Sequence, residues 1–88
     1  MSADDPLAHH VVLFAARHPR AALLAIEDTL GGSPAELGGL TLKPVGRIVE
    51  AVLRLRGLDD ADAERLASRL SGALGVSAVR VEHRWGRA

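Results

Sequence analysis

Residues 47–56 read RIVEAVLRLR. Apolar side chains occupy every second position from Val49 to Leu55, and Glu50 and Arg54 lie among the intervening residues. Successive side chains of a β-strand point to opposite faces of a sheet. The alternation therefore predicts a strand with one face on the hydrophobic core and the other face open.

Three further strands are expected around this one. Residues 9–16 form a compact apolar run, which is typical of a central strand buried on both faces. Residues 35–43 are interrupted by Gly38 and Gly39, which predicts an irregular edge strand with a bulge at the glycines. Residues 76–84 alternate again and predict the last strand.

Two segments have apolar residues at helical spacing instead. The first predicts a helix over residues 20–30, which the Gly31-Gly32 pair would end in the left-handed conformation. The second predicts a helix over residues 60–74, capped by Asp59 or Asp60. The expected apolar stripes consist of Leu23, Ile26 and Leu30, with Ala22 beside them, in the first helix and of Ala63, Leu66, Ala67, Leu70 and Leu74 in the second.

The predicted order is strand, helix, strand, strand, helix, strand. With right-handed crossovers this order closes as a ferredoxin-like βαββαβ sandwich of the α+β class, a four-stranded antiparallel sheet with both helices on one face. A chain of 88 residues has room for one core. We therefore expect a single domain over residues 9–84, a disordered leader over residues 1–8 and a tail over residues 85–88.

Composition argues against several classes of partner. Lys+Arg and Asp+Glu number 11 each, so the net charge is zero, whereas nucleic-acid binding favours a basic excess. The absence of cysteine favours a reducing, cytoplasmic compartment. No apolar run approaches the roughly 20 residues that span a bilayer. We expect neither nucleic acid nor a membrane as a partner.

The histidines are the first candidates for chemistry. The first and last strands of the predicted sheet are neighbours, so His9, His10 and His83 would lie close enough to hold a transition metal such as zinc. No carboxylate or cysteine completes a recognised ligand spacing, so the sequence favours ordinary surface histidines, with no metal and no cofactor. No catalytic spacing and no phosphate-binding glycine motif occurs, and an enzyme is not expected.

The open face of the sheet is the second candidate. It is expected to hold five residues, namely Ile48, Val52, Arg54, Arg56 and Arg80. An RNA-binding sheet would add stacking aromatics, but Phe14 and Trp85 are the only aromatic residues and neither belongs to such a motif. The mixture of apolar and basic residues favours an interface between subunits.

The loop before the first helix is the third candidate. Arg17 and Arg20 flank His18 and Pro19 at a helix start, where backbone N–H groups attract carboxylates and phosphates. An anionic ligand and a plain solvated basic turn both fit these residues.

Residues 18–23, HPRAAL, follow an apolar strand and resemble the strand-to-helix loop of ACT domains. In that family a carboxylate or amide residue precedes a Pro-Gly pair, whereas this chain has His18 and Arg20 at the corresponding positions. The likeness covers residues 9–84. The chain resembles in particular the short regulatory subunits of acetolactate synthase.

The resemblance implies a non-catalytic regulatory module that acts as a homodimer. It would bind a small metabolite, expected to be an amino acid, or an enzyme partner, or both. The ligand positions that it implies are His18, Pro19, Arg20 and Ala21, with Gly38 and Gly39 as facing elements. Two alternatives remain open. One is an assembly protein that binds only protein through its open sheet face, and the other is a small enzyme of the dimeric-barrel type.

Overall fold

The computed structural model describes residues 8–33 and 35–85. The elements are β1 (Ala8–Ala16), α1 (Pro19–Leu30), β2 (Glu36–Val45), β3 (Ile48–Arg56), α2 (Asp60–Ser71) and β4 (Val76–Trp85). The predicted leader and tail lie outside the described residues, apart from Ala8 and Trp85, which belong to β1 and β4.

The strands form one antiparallel sheet in the order β2-β3-β1-β4. The register places Val12 of β1 between Leu53 of β3 and Val81 of β4. Side chains of both helices join these residues in one hydrophobic core. The predicted ferredoxin-like sandwich, with β1 as a central strand, is therefore confirmed.

The alternation in β3 is also confirmed. Val49, Ala51, Leu53 and Leu55 are all buried, the last three in the core cluster with both helices, while the charged residues between them are exposed. Burying a side chain of the size of Leu53 or Leu55 contributes about 1.5–3 kcal/mol, so this face of β3 is a large part of the core.

Strand β2 forms one edge of the sheet, as predicted. Its pairing with β3 shifts register between Leu37 and Gly39, so Gly38 is the extra residue of the expected bulge. The strand continues through Pro44 to Val45, because an edge strand tolerates a residue without an N–H. Leu37 and Leu40 remain exposed on the helix side, so the helices leave this edge uncovered.

Both helices begin as the sequence predicts. Pro19 lies in the first turn of α1, and the Asp59 carboxylate caps α2 by accepting a hydrogen bond from the Asp62 N–H at 2.8 Å. The Arg65 guanidinium, which pairs with Asp62, lowers the pKa of that carboxyl below its usual value. The acidic residues in the first turn of α2, Asp60 and Asp62, lie where the helix dipole favours negative charge.

The helix ends differ from the prediction. Gly31 has φ −59°, a right-handed conformation, and its N–H continues the helical pattern by donating to the Glu27 carbonyl. Helix α2 ends at Ser71 rather than at residue 74, so Leu74 is 93% exposed and does not belong to the core. Leu23 is likewise 48% exposed, whereas Ala22 and Ile26 of the predicted apolar face are buried, together with Ala25 and Thr29.

Candidate functional site

An open groove of about 1,100 Å³ runs along α1 to the turn between α2 and β4. Arg17, His18 and Arg20 lie at the end where α1 begins, and Glu27 and Asp28 lie towards the other end. The apolar part of the lining comes from Ala21, Leu24, Ala25, Ala73 and Leu74. Leu24 and Leu74 are exposed large aliphatic residues, which makes the groove both charged and apolar.

The groove exists because two distant segments of the chain meet at Gly75. The Arg17 N–H donates to the Gly75 carbonyl at 3.1 Å, which joins the end of β1 to the turn before β4. Gly75 has φ +81°, a left-handed conformation, and a Cβ at this position would lie 3.5 Å from Cβ of Ala21. That distance is an ordinary packing contact, so it is the left-handed backbone that favours glycine here.

His18 is the N-cap of α1. Its Nδ1 accepts a hydrogen bond from the Ala21 N–H at 3.1 Å, and its backbone is extended, as an N-cap requires. Asp and Asn side chains perform the same function at helix starts. His18 therefore caps α1 in the way that an Asp or Asn side chain would.

We expect His18→Ala to lower the free energy of unfolding by about 1 kcal/mol, because the Ala21 N–H loses its acceptor. His18→Asn should retain most of the stability, since an Asn side chain accepts the same bond. Urea unfolding of both variants measures the difference. Equal losses in the alanine and asparagine variants would contradict a capping role.

The charges along α1 run opposite to the order that a helix dipole favours. Arg20 lies in the first turn. The last turn has no basic residue and contains Glu27 and Asp28 instead. In α2, by contrast, the first turn has Asp60 and Asp62 and the last turn has a basic residue. Each reversed charge near a helix end costs about 0.3–1 kcal/mol at the surface, so α1 would gain from an anion at its start.

The structure separates the predicted ligand positions into two groups. His18, Arg20 and Ala21 line the groove, and the exposed Pro19 lies between them in the chain. Gly38 and Gly39 lie in the edge strand β2. Gly39 is paired with Arg54 of β3, which in turn is paired with Val11 of β1. This register places the glycines about 17 Å along the strands from the end of β1. Within one chain they do not face the loop.

The predicted interface residues lie on the face of the sheet that the helices leave open. Val52 and Arg80 flank Leu13, and Arg54 flanks Val11. Ile48 and Arg56 occupy the two ends of β3. The Arg54 side chain lies over Gly39, where a Cβ would come within 3.3 Å of its Nη1. Arg56 is paired with Glu36 at 3.7 Å.

A second irregularity lies at the β4 edge of this open face. The pairing of β1 with β4 shifts between Leu13 and Ala15, and Ala78 has φ 55°, in the left-handed region. That conformation costs a non-glycine residue about 1–2 kcal/mol. The bulge leaves a depression of about 190 Å³, whose lining includes Ala78, Arg80, Glu50 and Leu13.

The expectation of a surface histidine is wrong for His10. This side chain is buried on the helix side of β1, and its Nε2 lies 3.1 Å from Oδ1 of Asp60 at the start of α2. The backbones of His10 and His83 are paired, but the side chains of His9 and His83 lie outside the described part of the structure. Within the described part, no group of three histidines or carboxylates could hold a metal.

Sequence reasoning missed the half of the groove formed by the α2–β4 turn. Gly72 to Gly75 line the groove opposite α1. The one local feature that pointed to a turn was the pair of glycines, Gly72 and Gly75, around Leu74. The helical spacing of Leu74 predicted a core position instead.

The sheet order and the two helices on one face define the chain as a ferredoxin-like domain. Its fold is similar to the C-terminal domain of the MgtC protein from Mycobacterium tuberculosis, with a TM-score of 0.74, 27% sequence identity, and coverage of 91% of this chain and 90% of that one. It is also similar to the ACT domain of GTP pyrophosphokinase from Chlorobium tepidum, with a TM-score of 0.68, 10% identity, and coverage of 86% and 97%.

A de novo designed protein, Foldit4, has the same fold at a TM-score of 0.62 and 17% identity, with coverage of 91% of this chain and 98% of the designed one. The fold by itself therefore does not determine a function. No family model and no curated protein sequence matches the chain. Neither α1 nor α2, the two helices of the described residues, has the length and apolarity that crossing a membrane requires.

Proposed function

We propose that this chain is a non-catalytic, cytoplasmic regulatory module that binds an amino acid, or a metabolite with a similar carboxylate, in the groove beside α1. The observation that carries the proposal is the meeting of Arg17 and Arg20 with exposed aliphatic residues in one groove. An amino acid has a carboxylate that can bind the two arginines and a side chain that can pack on the aliphatic residues. The likeness to an ACT domain of a GTP pyrophosphokinase supports a regulatory role.

The position of the carboxylate follows from the charges on α1. Arg20 lies in the first turn, and Arg17 precedes the cap. A bound carboxylate would face both guanidinium groups and the positive end of the helix dipole. Charge-assisted hydrogen bonds from arginine to a carboxylate are roughly twice as strong as neutral ones, so this contact would dominate the affinity.

The partner that the module regulates is an enzyme in this proposal. The resemblance to regulatory subunits of acetolactate synthase suggests the kind of partner and stays a prediction. Regulation requires that the ligand favour one arrangement of a dimer over another. The turn that lines the groove leads directly into β4, and β4 reaches the open sheet face at Arg80. This continuous segment supports a coupling between ligand and subunit arrangement.

A thermal-shift screen of the protein against the common amino acids, with the mass in solution measured alongside, tests the proposal. A ligand at 100 times its dissociation constant should stabilise the fold by about 2.7 kcal/mol. For a domain of this size, that corresponds to a rise in Tm of about 10 °C or more. We expect Arg20→Ala to weaken binding of the stabilising amino acid about tenfold or more, because a charged hydrogen bond is lost.

Arg47→Ala is the matched control. Arg47 is an exposed arginine in the turn between β2 and β3, outside the groove, so its replacement should leave the affinity unchanged. Equal affinities of the Arg20→Ala variant and the natural sequence would contradict binding at this site. The absence of any stabilising amino acid would contradict the proposed class of ligand.

An assembly protein that binds only protein is the second candidate function. The half-buried apolar residues Leu13, Ala15 and Val52 on the open sheet face favour it. A stable dimer that no amino acid stabilises would select this candidate over the first.

A further inference from the structure

The groove beside α1 has opposite charges at its two ends. Arg17 and Arg20 lie at the end where α1 begins, and Glu27 and Asp28 lie at the end where α1 finishes. Apart from His18, every other residue that lines the groove is an alanine, a leucine or a glycine. The groove therefore suits an elongated ligand with a negative end, an apolar middle and a positive end.

The spacing along α1 brings these groups onto one side of the helix. Arg20, Leu24 and Asp28 follow one another at intervals of four residues, and such residues share a helix face. Leu24, which is 60% exposed, lies between the two charged ends. Arg20 and Glu27 are seven residues apart, which corresponds to about 10 Å along the helix axis.

The charged groups of the groove are available for a ligand. The ion pairs formed by side chains of the described residues include neither the two arginines nor Glu27 or Asp28. The turn opposite α1, residues 72–75, adds no charge. Arg69 of α2 lies 3.4 Å from the backbone carbonyl of Asp28, so its charge offsets part of the Asp28 charge. Glu27 is therefore the main acidic group of this end.

We propose that the groove selects a basic amino acid, of the lysine and arginine class, that lies along α1. Its carboxylate would bind Arg17 and Arg20, and its terminal cation would bind Glu27 and Asp28. An extended ligand of this class separates these two groups by about 7–9 Å, given single bonds of about 1.5 Å. The protein side chains close the remaining distance. This inference rests on the proposed function, which leaves the side chain of the ligand open.

The helix dipole favours the same orientation of the ligand. The start of a helix attracts negative charge and its end attracts positive charge, but the side chains of α1 have the reverse order. A basic amino acid with its carboxylate at Arg20 and its cation at Glu27 would supply both charges in the favoured order. Two independent electrostatic terms, the ion pairs and the dipole, therefore select the same ligand in the same direction.

Other classes of amino acid fit the groove less well. An acidic amino acid would place its second carboxylate beside Glu27 and Asp28, where like charges repel each other. An aliphatic amino acid would pack on Leu24 but would leave the acidic end without a partner. The expected order of affinity is therefore basic, then aliphatic, then acidic.

Three amino acids of similar length test this order, namely lysine, norleucine and 2-aminoadipate. Titration of each into the isotopically labelled protein, followed by amide chemical shifts, gives the dissociation constants and locates the binding residues. We expect lysine to bind about fivefold more tightly than norleucine, because its cation adds exposed ion pairs. The preference should weaken as salt is added, since salt screens exposed charges. 2-Aminoadipate should bind more weakly than norleucine.

The doubly substituted variant Glu27→Gln, Asp28→Asn tests which residues bind the cation. Its ratio of the norleucine and lysine dissociation constants should fall to about one. The variant should not lose stability, because it removes negative charge from the end of α1 that the dipole makes unfavourable for it. Glu64→Gln is the matched control, since Glu64 is exposed on α2 outside the groove, and it should retain the preference for lysine.

Two results would overturn this inference and leave the proposed function standing. One is equal affinity of the natural sequence for lysine and norleucine, with shifts in the groove. The other is a preference for lysine that persists in the doubly substituted variant, because other residues then bind the cation. Binding of none of the three amino acids would overturn both the inference and the proposed class of ligand.

Discussion

Replacing Leu70 by alanine is expected to lower the free energy of unfolding by about 3 kcal/mol. Leu70 has no exposed surface and packs in the cluster formed by both helices and the sheet. Truncating such a side chain removes its transfer free energy and leaves a cavity that the surroundings fill only in part, which costs about 2–5 kcal/mol. Small domains have modest total stability, so urea unfolding should show a large shift of the midpoint.

Leu74→Ala is the control for this prediction. Leu74 is four residues further along and continues the same helical spacing, but it is 93% exposed beyond the end of α2. Its truncation should change the stability by no more than about 0.5 kcal/mol. Similar losses in the two variants would mean that α2 continues to residue 74 and buries both leucines.

Replacing Gly75 by alanine should cost about 1–2 kcal/mol. The position has φ +81°, which a residue with a Cβ adopts only at that cost. The new methyl group would also contact Ala21 and the stem of Arg17 at ordinary packing distances, so backbone conformation is the main term. Thermal unfolding should show a Tm lower by several degrees.

Gly32→Ala provides the comparison. A Cβ at Gly32 meets no atom within 4 Å, and the residue lies in an exposed turn. Its replacement should be neutral or slightly stabilising, because it restricts the unfolded chain. If both replacements cost the same, the loss at Gly75 would not come from its left-handed backbone.

Local patterns determined most of the architecture from the sequence. The alternation in residues 47–56 predicted which side chains of β3 are buried, since side-chain direction in a strand depends only on neighbouring residues. Gly38 and Asp59 predicted a bulge and a helix cap for the same reason, because each acts within a few residues of itself. With the order of elements known, the handedness of the connections left one topology.

Contacts between distant residues were decided only by the tertiary structure. His10 is buried because the start of α2, fifty positions later in the chain, lies over the beginning of β1. Leu74 is exposed because the chain leaves α2 early to enter β4, although its spacing is helical. The groove depends on the bond from Arg17 to Gly75, two residues that no local pattern connects. Periodicity describes one element at a time, whereas burial and sites depend on where the elements meet.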